Sequence, residues 1–200
     1  YTAENLDFTN DVISMAEEGF DVLSVEPVVL KDAAFAITEE HLPRIFAEYD
    51  RLTAEYLKRR AQGKGFFFFH FNMDLSNGPC VAKRLAGCGA GHEYFAVAAN
   101  GDLYPCHQFV GRAGYKLGTV WTDVENRELP RKFRNAHVLN KKKCAGCWAR
   151  FYCSGGCHAN ADLFHGDIYQ PYEVGCELQK KRLECAIYVQ AVMAREKDES

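Results

Sequence analysis

Nine cysteines in 200 residues constrain this chain more than any other feature. They stand at Cys80, Cys88, Cys106, Cys144, Cys147, Cys153, Cys157, Cys176 and Cys185. An odd number suits a disulfide framework poorly. Nothing in the sequence points to export, so a cytoplasmic setting with reduced thiols is expected. Clustered thiols in that setting serve most often as metal ligands or catalytic groups. Between Cys144 and Cys157 the pattern is C-x2-C-x5-C-x3-C, close enough for four sulfurs to converge on one small inorganic object. The run Cys153-Ser154-Gly155-Gly156-Cys157 can turn sharply and aim backbone amides at sulfur. Such amides lower thiolate pKa and tune a cluster's potential.

The other cysteines extend the pattern. Upstream stands Cys88-x12-Gly101-x4-Cys106. Asn100-Gly101 between Tyr94–Ala99 and Asp102–Cys106 predicts a hairpin with a type I′ turn, which folds Cys106 back toward Cys88. Downstream, Cys176 follows Gly175 at the start of a closing helix over residues 173–197, with Leu178, Leu183, Ile187, Val189 and Met193 apolar. Cys185 is nine residues beyond Cys176, on the opposite face of one continuous helix, and reads as a buried thiol rather than a ligand. Trp148, Phe151 and Tyr152 read as packing that shields a metal site, and His107 as a hydrogen-bonding neighbour of it. His92, His107, His158 and His165 read as ordinary polar groups rather than ligands. Seven basic residues between Arg127 and Lys143, Lys141 among them, read as a solvated connector.

The first 79 residues have a different character. Phe8, Val12, Met15 and Ala16 form a helical stripe that Gly19 ends. Phe20–Val29 is an apolar run suited to a buried strand. Leu42, Ile45, Phe46, Tyr49, Leu52, Tyr56 and Leu57 predict an amphipathic helix of about five turns. Thr38 is a candidate cap, and Pro43 moves the first turn to Leu42. Phe66–Asp74 is a second strand candidate. Alternating helix and strand implies parallel βα units, too few here to close a barrel. The chain lacks an initiator methionine and reads as cut from something longer. Its net charge of −3 excludes a strongly basic nucleic-acid binder and a polybasic membrane clamp. No stretch reaches the ~20 apolar residues of a membrane helix, and the first ten residues lack the features of a signal peptide. At 48% hydrophobic and 26% charged, the composition is that of a globular protein.

The seven-cysteine order C-x12-G-x4-C, C-x2-C-x5-C-x3-C, C resembles the SPASM domain, the C-terminal extension of many radical SAM peptide-modifying enzymes. Three stretches resemble the SCIFF (six-cysteine peptide) maturases, which form thioether crosslinks from cysteine sulfur to a backbone Cα. They are Gly78-Pro79-Cys80, the run Gly101-Asp102-Leu103-Tyr104-Pro105-Cys106-His107-Gln108-Phe109-Val110-Gly111-Arg112, and Cys147-Trp148-Ala149-Arg150-Phe151-Tyr152-Cys153-Ser154-Gly155-Gly156-Cys157. The resemblance implies an α+β fold. A SPASM-type domain over residues 80–200, with a β-hairpin and C-terminal helix, would follow the last βα units of a partial (β/α) barrel over residues 1–79. It implies two auxiliary [4Fe-4S] clusters. Cys88, Cys106 and Cys157 would hold the first, with Cys80 as a fourth ligand or with one iron left open to a substrate thiol. Cys144, Cys147, Cys153 and Cys176 would hold the second.

The C-x3-C-x2-C that would hold the cluster cleaving S-adenosylmethionine is absent, since Asn160 stands three positions after Cys157. By the resemblance, S-adenosylmethionine and a third cluster belong to a longer parent, and this chain alone would be inactive. Ser24 and Glu26 either face that cofactor or pack and solvate at a strand end. The implied partners are a cysteine-rich precursor peptide and an external reductant, with no nucleic acid and no membrane. In the parent, a 5′-deoxyadenosyl radical would take a Cα hydrogen, a peptide sulfur would bond to that carbon, and the surplus electron would pass to the clusters. A zinc-stapled binding module and a ferredoxin-like electron carrier stand as alternatives.

Overall fold

The computed structural model describes residues 1–32, 34–73, 78 and 80–198. Packing divides the chain into two compact units, Tyr1–Pro79 with Glu173–Ser200, and Cys80–Tyr172. The resemblance groups residues 80–200 in one domain; by packing, the last helix falls with the first unit. Among the described residues no helix is long and apolar enough to cross a membrane.

The first unit is built on three helices: α1 (Phe8–Glu17), α2 (Leu42–Ala61) and α8 (Glu173–Asp198). Phe8 and Val12 of α1 are fully buried, but Met15 is 36% exposed, so the apolar stripe is narrower than its spacing suggests. The chain leaves α1 where expected, the Gly19 N–H donating to the Ala16 carbonyl at 3.3 Å. A 3₁₀ turn, Glu39–His41, precedes α2. There His41 Nδ1 accepts the Thr38 N–H at 3.1 Å, while Pro43 lies in the first turn of α2, where a missing N–H costs nothing. Ile45, Tyr49 and Leu52 repeat along the buried face of α2.

The two expected strands are much shorter than predicted. Val22–Leu23 (β1) pairs in parallel with Phe67–Phe68 (β2), in the register Val22↔Phe67 and Leu23↔Phe68. Beyond Phe68 the backbone enters a 3₁₀ turn, Phe69–Phe71, which ends the ladder on that side. Asp74, the expected end of the second strand, lies outside the described residues. Phe68 and Phe71 are buried, and Tyr56 meets the rings of Phe66 and Phe71 edge-on at 5.4 Å. On α8, Leu178, Leu183, Cys185 and Val189 are buried, whereas Ile187 is exposed. Helix α8 runs along α2, with Lys181 Nζ 2.6 Å from Asp50 and Gln190 donating to the Phe71 carbonyl at 3.0 Å.

The second unit holds a four-stranded antiparallel meander: β3 (Ala96–Val97), β4 (Asp102–Tyr104), β5 (Gly118–Thr119) and β6 (Asp123–Val124). The predicted hairpin is present, with Ala96 opposite Tyr104 and Val97 opposite Leu103. Its turn is not type I′. Gly101 alone takes positive φ, its N–H donates to the Ala98 carbonyl at 2.8 Å, and the Ala98 N–H donates to Asp102 at 2.9 Å. That is the three-residue loop of a type I turn closed by a left-handed glycine. Short helices complete the unit: α3 (Val81–Arg84) before the sheet, then α4 (Glu128–Asn135), α5 (Lys142–Ala145), α6 (Arg150–Cys153) and α7 (His158–His165). Phe109, Leu117, Phe133 and Ile168 form the core, with Leu103 and Tyr104 from β4. Burying a side chain of this kind contributes about 1.5–3 kcal/mol.

Candidate metal centre

The second unit gathers six cysteines into two groups of three. Cys106 is carried out of β4, and Cys157 immediately precedes α7. Burial pushes the Cys106 thiol up, and the nearby charges of Cys157 and Cys88 push the same way. The N–H groups of Gln108 and Phe109 donate to the Cys106 sulfur and pull it back down. Tyr94 donates its hydroxyl to Cys88 Sγ at 3.9 Å. Burial, then Cys88, Cys106 and Cys157, push that hydroxyl up to about 12. Gln108 Nε2 donates to Cys157 Sγ at 3.9 Å. So Cys88, Cys106 and Cys157 share one neighbourhood although 69 positions separate the outer two, residue 88 and residue 157.

The other trio is Cys144, Cys147 and Cys153. Burial pushes the Cys144 thiol up, Lys141 pulls it down, and Cys153 and Cys147 push it up again. Cys153 is also raised by burial, but the N–H groups of Gly155 and Gly156 donate to its sulfur and lower it. The sharp turn expected here is present: Ser154, Gly155 and Gly156 take φ of 60°, 87° and 71° in succession. Within this left-handed run the Gly155 and Gly156 N–H groups both reach the Cys153 sulfur. A Cβ added to Gly87, next to Cys88, would stand 3.2 Å from the Ser154 carbonyl, so the two trios are built around the same loop.

This loop yields a direct expectation. Gly155→Ala forces a side chain onto φ +87°, with Val138 and Lys141 atoms 3.4–3.5 Å from the new Cβ. The left-handed penalty alone is about 1–2 kcal/mol. Reconstituted iron should fall in this variant relative to wild type, measured as iron bound per chain.

Among the described residues, no group of three or more His, Cys, Asp and Glu side chains is placed to hold a single metal ion. A four-iron cube takes one thiolate on each iron, so its ligands need not converge on a point. The donor set fits such a cube: thiols with amide donors aimed at their sulfurs and a lysine beside them.

The remaining sequence candidates are placed as follows. Cys80 is exposed and stands just before α3, and Cys176 lies near the start of α8 in the other unit. Cys185 is buried, with Sγ 4.0 Å from Asp50. Ser24 and Glu26, just past β1, are both exposed. Glu26 is engaged by neighbours, with His70 Nε2 2.8 Å away and Arg182 Nη1 3.0 Å away, and these two hold its carboxyl below the usual range against the effect of burial. Trp148 is 59% exposed and does not shield its flanking cysteine as expected. His107 is exposed, and Gln108 beside it supplies the sulfur contact expected of the histidine. His158 is buried and lowered to about 4 by burial and Lys141, with Nε2 3.1 Å from the Ala136 carbonyl, as befits a neutral core histidine. Sequence reasoning misses Tyr94, Gln108 and Lys141. The first two flank the hairpin cysteine without a distinguishing pattern. Lys141 is hidden as the first of three consecutive lysines.

Residues 88–148 match the SPASM family, described as an iron-sulfur cluster-binding domain. No curated protein matches the chain. Among solved structures, a hexahistidine-tagged anSMEcpe with bound AdoMet is similar with a TM-score of 0.69 at 16% identity, over 97% of this chain and 53% of that one. "Native anSMEcpe with bound AdoMet and Cp18Cys peptide" is similar with a TM-score of 0.66 at 17% identity, over 97% and 56%. The corresponding structure with the Kp18Cys peptide gives 0.65 at 16% identity, over 97% and 56%. This chain therefore shares the fold of about half of those proteins. The mixed α+β architecture with a SPASM-type cysteine-rich region agrees with the sequence expectation.

Proposed function

We propose that this chain is the auxiliary-cluster portion of a radical SAM enzyme that installs thioether crosslinks, from cysteine sulfur to Cα, in a cysteine-rich precursor peptide. The observation that carries this reading is the partition of six thiols into the trios 88/106/157 and 144/147/153, overlapping a match to an iron-sulfur cluster-binding domain. Structures similar in fold were solved with AdoMet and with peptides, which supports the substrate class.

In this reading Cys88, Cys106 and Cys157 hold one [4Fe-4S] cluster. Cys80 either completes that set or leaves one iron free for a peptide thiol. Cys144, Cys147 and Cys153 hold the second cluster, with Cys176 as fourth ligand on the order of the motif. When bound, the clusters supply reversible one-electron capacity beside the peptide. The chain's own residues orient the sulfurs. Tyr94 and Gln108 donate to Cys88 and Cys157, and the Gly155 and Gly156 amides donate to Cys153. Ser24 and Glu26 are assigned to the S-adenosylmethionine side, where His70 and Arg182 fix the Glu26 carboxylate. The cofactor itself, a third cluster and the reductant belong to the parent enzyme.

Anaerobic reconstitution tests this. The chain should take up about eight iron and about eight sulfide, and a six-cysteine peptide should perturb the cluster spectrum. About two zinc ions and no sulfide would identify a zinc-stapled module instead. Rapid reversible reduction with no response to the peptide would identify an electron carrier.

A further inference from the structure

Lys141 is fully buried, an unusual position for an ammonium group. Withdrawing such a charge from water costs several kcal/mol unless the site compensates it. Its backbone and side chain touch different parts of the cysteine constellation. The Lys141 carbonyl accepts the N–H of Cys144 at 2.9 Å and of Ala145 at 3.1 Å, which starts the turn carrying Cys144 and Cys147. Its Nζ donates to the Gly155 carbonyl at 2.8 Å, fourteen positions along the chain. That carbonyl belongs to the left-handed turn whose Gly155 and Gly156 amides point at Cys153, and the same turn leads directly into Cys157. A methionine would fill the slot comparably without the cost of burying charge, so packing alone does not account for a lysine here.

We propose that Lys141 is a positioning residue of the second cluster, clamping the Cys153–Cys157 turn to the Cys144–Cys147 segment and holding a fixed positive charge beside their sulfurs. The inference rests on the cluster reading above. Burial raises both the Cys144 and the Cys153 thiol, and the Lys141 charge works against it at each. A cube held by thiolates grows more negative on reduction, so a buried cation favours the reduced form and raises the potential.

The experiment is Lys141→Met in the reconstituted chain, with midpoint potentials of both clusters followed by EPR-monitored titration. The expected result is a fall in the second cluster's midpoint of about tenfold in the reduction equilibrium, ~59 mV for a one-electron couple, with the first cluster's midpoint unchanged. Two unchanged midpoints would overturn the inference. Should Lys141→Met hold neither cluster, Lys141→Arg decides, because it keeps the charge. Return of the second cluster at the wild-type midpoint supports the electrostatic clamp. Failure of Lys141→Arg as well reduces Lys141 to a packing residue and overturns it. A wild-type chain that takes up no iron and sulfide instead refutes the cluster reading itself, a distinct result.

Discussion

Cys147→Ala should remove one cluster and spare the other, lowering bound iron from about eight to about four per chain, with sulfide in parallel. Cys147 acts on Cys144 and Cys153, and the Cys106 thiol answers instead to Cys88 and Cys157. Cys106→Ala should therefore remove the same amount of iron but erase the other spectral component. Taken together, the two variants report the partition rather than mere cysteine content. Loss of both clusters in either single variant would refute the separation into two trios. The shared loop makes this a demanding test, since Cys153 and Cys157 bracket the same three left-handed residues.

The second large effect concerns the scaffold. Phe133→Ala should destabilise the second unit by about 3–5 kcal/mol. The ring is fully buried, meets Phe109 edge-on at 5.4 Å and lies 5.3 Å from the ring of His158. Few neighbours can move in to fill the vacated volume, because the Gly91 backbone already lies against the ring: a Cβ there would be 2.9 Å from it. Both tryptophans, Trp121 and Trp148, belong to this unit, so fluorescence during denaturant unfolding reports on it alone. A midpoint close to wild type would show that the core tolerates the cavity.

The parts of this molecule legible in the sequence are those encoded locally. Spacing alone reveals α2, whose heptad-like run places Ile45, Tyr49 and Leu52 on one buried face. The turn after Cys153 is readable for a similar reason, since the consecutive Gly155 and Gly156 take positive φ at no steric cost. Strand length is overstated because apolar runs such as Phe66–Asp74 signal burial without signalling a hydrogen-bonding partner. Phe69–Phe71 buries Phe71 from a 3₁₀ turn just as well. Strands β5 and β6 escape notice because two-residue segments carry no period to detect. Asn100-Gly101 announces a turn correctly, but the dipeptide does not fix the loop length, which decides between type I′ and the bulged form observed. Lys141 is illegible for a deeper reason. Charge and solvation go together in most sequences, and only the folded position shows one ammonium of the triplet Lys141–Lys143 removed from water.

The first unit is discontinuous: α8, which lies along α2, is encoded after the whole of the second unit. A chain emerging from the ribosome thus exposes the α8-facing side of α2 until every cysteine up to Cys157 has been synthesised. The whole second unit, Cys80–Tyr172, is therefore made before the first unit can close its own core. A chain stopped at Tyr172 would lack both the helix that covers α2 and the thiol of Cys176.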